Sequence, residues 1–215
     1  MNFLNLVRFP KAIFRITTFL ARNLWQARKI PVINKGAYDD VEFIPCTKDL
    51  VPYVSKLYAQ FHEGIKLGLD KKMLYSLAGE KFCLVVRDKK TNQIVGYSLY
   101  YFNRRDIKEA TIHGGNISLH SDYRGKGIGT AQRLYVLRHF ARCPSIKGLS
   151  SRIDLDNQAS LRSGQKVGYK IKECYFDQSR GKERAYLICD LAPYRECNTN
   201  EEQERALPKR KDELN

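Results

Sequence analysis

The chain has 215 residues, of which 43% are hydrophobic and 11% aromatic, which suits one domain with an ordinary core and makes disorder the wrong starting assumption. Its 38 lysines and arginines against 23 acids leave a formal charge of +15. That bias fits an anionic partner: a phosphate-rich cofactor, an acidic substrate, a nucleic acid or a membrane surface.

Residues 1–38 hold seven basic residues and no acidic one. Arg8, Lys11, Arg15, Arg22 and Lys29 fall on one stripe of a helix, and Phe, Ile, Leu and Trp25 fill most of the rest. Pro10 should break or kink the first turns, so the helix is expected over about residues 10–28. No apolar run is long enough to span a bilayer. Two readings of this segment stand side by side: an in-plane helix on an anionic membrane surface, and a helix docked on the domain or on a second subunit of a homodimer. The corresponding location is cytoplasmic, with peripheral attachment to the inner face of the membrane.

Residues 39–194 read as the folded domain. The expected order is a strand (41–46), helices (47–62 and 68–78), three strands (81–88, 94–103, 109–120), a helix (127–141), a strand (147–154), a helix (157–167) and two strands (169–177, 184–191). The order implies an α/β fold with a mixed sheet. The six cysteines form no C-x-x-C pair and read as buried, reduced thiols. The histidines lack H-x-x-x-H spacing, and no metal site is expected. Residues 195–215 are almost wholly polar and read as a charged, disordered tail.

The most informative stretch is "HSDYRGKGIGTAQRL", residues 120–134. A P-loop needs a lysine after its last glycine, and a dinucleotide fingerprint needs G-x-G-x-x-G early in a βαβ unit; neither is met. The pattern R-x-x-G-x-G is met by Arg124, Gly127 and Gly129. Glycines at a strand-to-helix turn let successive N–H groups approach an anion, and the helix start adds its dipole. Arg124 and Lys126 add positive charge. The segment 124–130 (with Gly125, Ile128 and Thr130) is therefore a phosphate-binding candidate.

On "ISLHSDYRGKGIGT" and the later "DNQASLRSGQKVGYK", the chain resembles the GCN5-related N-acetyltransferases over most of residues 41–191. The resemblance implies a mostly antiparallel central sheet with helices on both faces. It also implies acetyl-CoA, or another acyl-CoA, as co-substrate, and direct transfer of the acyl group to an amine in a ternary complex. Ile117, Ser118 and Leu119 would pair with the pantetheine arm, with the Leu119 N–H as oxyanion donor. Asn157, and Ser160 beside it, would contact the cofactor.

Two positions depart from the family's ribosomal-protein acetyltransferases. Gly164 stands where many relatives have a tyrosine that serves as general acid, and Arg152 where some have a glutamate base. His113 matches the glutamate position of the histone-acetyltransferase branch and becomes the candidate base, with His120 and Asp154 behind it. A β-bulge in "IHGGNISLH" would shift which residues face the site. Ser163 and Tyr123 are candidates to protonate the departing thiolate. Tyr58, Phe61, His62, Glu63, Tyr75, Tyr175, Phe176 and Asp177 could line an acceptor pocket for a small amine, an amino sugar or a membrane-associated amine. The alternative is an acyl-CoA-responsive protein that binds nucleic acid or membrane without catalysis, although no basic–aromatic nucleic-acid motif is present.

Overall fold

The computed structural model describes residues 3–195, with side chains from residue 12 onward. The expected tail lies outside the described residues. The chain order is α1 (Phe3–Ala27), β1 (Gly36–Tyr38), β2 (Val41–Pro45), α2 (Val51–Phe61), α3 (Leu69–Phe82), β3 (Cys83–Asp88), β4 (Ile94–Tyr101), α4 (Arg104–Glu109), β5 (Thr111–Leu119), α5 (Ile128–Ala141), β6 (Gly148–Asp154), α6 (Gln158–Lys166), β7 (Lys170–Asp177) and β8 (Lys182–Asp190). These strands form one sheet in the order β1-β2-β3-β4-β5-β6-β8-β7. Only β5 and β6 run parallel; all other neighbours are antiparallel.

Alternation along β4 sets the two faces. Tyr100 stacks edge-on against Phe140 of α5, and Ser98 accepts a hydrogen bond from Gln132 of α5 at 2.7 Å. Tyr101 meets Phe19 of α1, and Tyr97 meets Tyr58 and Phe61 of α2. Helices α1, α2 and α3 therefore cover one face and α5 the other, with Val85, Tyr97, Leu99 and Ile112 buried between.

Helix α1 starts at Phe3 and passes through Pro10 without a break, earlier than the sequence suggested. Its second half is docked on the domain. Asn23 is wholly buried, donates to Phe102 O and accepts from Phe102 N, at 3.1 and 2.7 Å. Lys81 Nζ satisfies Ala27 O at 2.7 Å. This tethering rests on tertiary partners, which helical periodicity cannot show.

Two short elements were not expected. Strand β1 closes a hairpin through Asp39, whose φ is +52°. Helix α4 carries a capping box: Asn103 Oδ1 accepts from Asp106 N, and Asp106 Oδ2 accepts from Asn103 N. The thiols of Cys46, Cys83, Cys143 and Cys189 are buried as expected, whereas Cys174 is exposed because β7 is an edge strand; Cys197 lies outside the described residues.

Candidate active site

The site begins with a split in the sheet. β5 pairs with β6 only over Thr111–Gly114 against Gly148–Ser151. Beyond that, β6 continues on β8 through Asp154, while β5 continues on β4 through Leu119. The edge of β5 that faced β6 is thus left open from Gly115 onward. His120 N–H donates to Val95 O on β4 at 2.7 Å. Because bonding alternates along an antiparallel ladder, the N–H groups of Leu119 and Ile117 point the other way, into the gap. The Leu119 carbonyl shares that direction and accepts from Arg124 Nε at 3.0 Å, which ties the turn to the strand end.

The turn itself is a concave run of donors. Gly125 and Gly127 both have φ +79°, a conformation that glycine adopts without strain. Gly127 caps α5, and its carbonyl accepts from Thr130 N and Ala131 N. Among the described residues, no protein acceptor takes the N–H groups of Gly125, Lys126, Gly127, Ile128 or Gly129. A side chain at Gly129 would meet nothing within 4 Å, whereas one at Gly127 would meet Tyr38 Oη at 2.7 Å. Open donors, open space and the positive end of a 14-residue helix suit a pyrophosphate. Lys126 Nζ lies 5.5 Å from the Tyr123 ring at the outer rim.

Asn157 caps α6, with Oδ1 accepting from Ser160 N at 3.1 Å, so its exposed amide N–H₂ is left for a ligand. The Ser160 hydroxyl accepts from Arg133 at 2.8 Å, which bridges the starts of α5 and α6. Gly164 faces the Tyr169 ring at ordinary contact distance. Ser163 is half-buried on the same helix, and its hydroxyl has no hydrogen-bond partner among the described residues.

The expected bulge is present. Leu99 pairs with Asn116 but Tyr100 pairs with Gly114, so Gly115 is the extra residue. A side chain there would strike the Tyr101 ring, which accounts for the glycine. The bulge brings His113, Asn116 and Ser118 to one face of β5, opposite Tyr101, Leu99 and Tyr97.

His113 is 4% exposed. Its Nδ1 contacts Ser150 Oγ at 2.8 Å, and the serine hydroxyl donates to Asp106 Oδ1 at 2.7 Å. That order places the proton on Nδ1, leaving the Nε2 lone pair toward Arg152, 3.4 Å away. Burial, then the charges of Arg152, Arg184 and Lys71, lower its pKa to about 3. The imidazole is therefore a neutral, embedded acceptor. Tyr123 is also committed: its hydroxyl donates to Asp88 at 2.7 Å, and that carboxylate raises its pKa to about 12. It lies beside the turn, with its proton held by the end of β3.

A second histidine occupies the same face. His62, at the end of α2, stacks on Tyr58 at 4.0 Å, and its Nδ1 donates to Tyr58 O at 2.9 Å. Its Nε2 accepts from Asn116 Nδ2 at 2.9 Å, and Asn116 Oδ1 accepts from Ser118 Oγ at 2.7 Å. Tyr97, cross-strand from Ser118, is wholly buried, and its hydroxyl has no hydrogen-bond partner among the described residues. This cluster adjoins the open edge of β5. The sequence named His62 only as a lining residue, because the contact with Asn116 spans 54 positions. Of the other lining candidates, Tyr75 belongs to the core and donates to Tyr100 O at 3.2 Å. Asp177 is held by Ser179 and Arg184 in the β7–β8 hairpin, and Phe176 is exposed.

Residues 54–170 match the family model described as an acetyltransferase (GNAT) domain. No curated protein matches the chain. Among solved structures, the ribosomal-protein-S5-alanine acetyltransferase from Vibrio fischeri is similar at 12% identity and a TM-score of 0.59, covering 75% of this chain and 98% of that one. The diaminobutyrate acetyltransferase EctA from Paenibacillus lautus, solved with L-2,4-diaminobutyric acid and coenzyme A, is similar at 14% identity and 0.55, covering 70% and 95%. Naa50 from Arabidopsis thaliana, solved with the bisubstrate analogue CoA-Ac-MVNAL, is similar at 13% and 0.57, covering 69% and 97%. At these identities the likeness speaks for the fold.

Proposed function

Because the chain belongs to the GNAT acetyltransferase family and acyl-CoA is its co-substrate, we propose that it transfers the acetyl group to the nitrogen of a small amine, an amino sugar or a membrane-associated amine among the candidates. The observation that carries this reading is the open edge of β5 running into the donor-lined turn. Bound acetyl-CoA supplies an activated thioester; the chain's own residues do the rest. Gly125–Gly129 and Asn157 would hold the phosphate end, and the N–H groups of Ile117 and Leu119, which point away from β4, would align the arm. The Leu119 N–H then faces the gap as a fixed donor for the carbonyl oxygen, where charge develops.

An amine must lose a proton to attack. His62 is the proton acceptor in this reading. It is less enclosed than His113, and its tautomer is set by Tyr58 O so that Nε2 carries the lone pair. Turning over the Asn116 amide would let its oxygen receive the protonated Nε2, so either charge state finds a partner. His113 positions Arg152 and the strand junction instead. The aromatic rings beside the two histidines (Tyr58 on His62, Tyr101 on His113) favour an acceptor with an apolar or ring-shaped body.

The test is an acyl-transfer screen of amines, amino sugars and peptide N-termini with mass-spectrometric detection. A mass gain of one acetyl group on an amine supports the reading. Turnover confined to hydroxyl or thiol acceptors would overturn it.

A further inference from the structure

We infer that the outer faces of α1 and α3 together form a docking face for an anionic lipid bilayer. The inference stands apart from the catalytic reading and does not depend on it.

Docking of α1 on the domain uses Phe19, Leu20, Asn23, Leu24 and Ala27. That fixes the helix and leaves its other side outward, where Phe14 is 66% and Trp25 59% exposed. Helix α3 packs alongside, with Lys71 near the Phe19 ring and Lys81 on the carbonyl of Ala27. These two contacts run in the same order along both elements, so α1 and α3 lie side by side in the same chain direction, with a kink at Ala78 of α3 before the second contact. Leu69, Met73 and Leu77, each four residues apart, make a single stripe along α3 at 62%, 40% and 64% exposure. Leu77 and Arg28 line one cleft between the helices, so the two outward faces adjoin.

The charge around this face selects the occupant. Residues 1–38 contribute seven basic residues and no acid, and Arg15, Arg28 and Lys29 are exposed along the helix and the turn after it. Glu80 is an exposed carboxylate of α3. The Arg28 guanidinium lies over the Trp25 ring at 4.9 Å, a pairing of aromatic body and cationic head suited to the boundary between acyl chains and headgroups. Exposed apolar groups rimmed by cations fit a surface that is itself apolar beneath an anionic layer. No helix of the described residues is long and apolar enough to cross a membrane, so the contact is with one leaflet.

Trp25 is the only tryptophan, which makes it a site-specific reporter. The full chain should be titrated with vesicles of phosphatidylcholine containing about one-third phosphatidylglycerol, and with pure phosphatidylcholine. The expected result is a blue shift of Trp25 emission, quenching by brominated acyl chains and partitioning about tenfold stronger on the anionic vesicles. The double variant Leu69→Glu/Leu77→Glu should lose about tenfold in partitioning while still binding coenzyme A, since both residues are exposed and outside the cofactor site. Unchanged emission with vesicles, or unchanged partitioning of the double variant, would overturn the inference. A blue shift that grows with protein concentration in the absence of lipid would overturn it too, by assigning the face to a second copy.

Discussion

The proposed cofactor end and the proposed acceptor face of this molecule are built from different materials. The cofactor end is backbone: N–H groups of 125–129 with no protein acceptor among the described residues, and the outward N–H groups of Ile117 and Leu119. The acceptor face is side chain: His62 on Asn116, Asn116 on Ser118, His113 on Ser150 and Arg152. A backbone site tolerates many side chains but needs the right glycines. A side-chain site needs each partner, so substitutions there should divide sharply into functional and structural effects.

The largest effect is expected at Gly129. Its φ is ordinary and nothing lies near its absent side chain, so Gly129→Glu should fold normally. Its carboxylate would sit among donors meant for phosphate, and coenzyme A affinity should fall about a hundredfold or more. Calorimetric titration with a thermal-melt control checks both halves. Gly127→Glu is the poorer probe, because a side chain there meets positive φ and the Tyr38 hydroxyl.

The next contrast separates the two histidines. His62→Ala should lower kcat by about a hundredfold with coenzyme A affinity retained. Added imidazole should restore part of the rate. His113→Asn should instead cost about 1–3 kcal/mol of stability, since Ser150 and Arg152 lose a buried partner, with kcat per folded molecule nearly kept. If the two outcomes were exchanged, the assignment of His62 would be wrong.

The pH dependence of stability tests burial directly. His113 and His139 are both held near pKa 3 in the fold, by burial first and by neighbouring arginines second. Unfolded, each would titrate near its ordinary 6.5. The unfolded chain therefore binds more protons below that value, and stability present above it is lost as pH falls. Between about pH 6 and 5, denaturant melts should show a loss approaching 1.4 kcal/mol per pH unit for each histidine. A flat profile over that interval would mean that the two rings are open to solvent. The smallest effect is Asn157→Ala, about 1 kcal/mol from the lost α6 cap. It should come with a raised KM for acetyl-CoA and an unchanged kcat.

The same division explains what was legible in the sequence. Glycine spacing and apolar periodicity are local, so the turn, the succession of strands β2 to β8 along the chain and the bulge at Gly115 could be anticipated, whereas the insertion of β8 between β6 and β7 in the sheet could not. Helix α4 was legible in principle, since "NRRD" is an Asn–Asp capping box, but its six residues were hidden between two strands. The docking of α1 through Asn23 and Phe102 spans 79 positions, beyond any local pattern. Tyr123 and His113 looked reactive in sequence, and their contacts with Asp88 and with Arg152 commit them elsewhere. Their neighbours, not their residue types, decide what they can do.

The central claim is that the open edge of β5 and the turn after it hold an acyl-CoA by backbone donors. Titrating isotope-labelled protein with coenzyme A and following its amide resonances tests this most directly. The account predicts large, saturable shifts for Ile117, Leu119 and Gly125–Gly129, with small changes at Ser118, whose N–H faces β4. Shifts spread over the basic surface, with those amides unmoved, would contradict it.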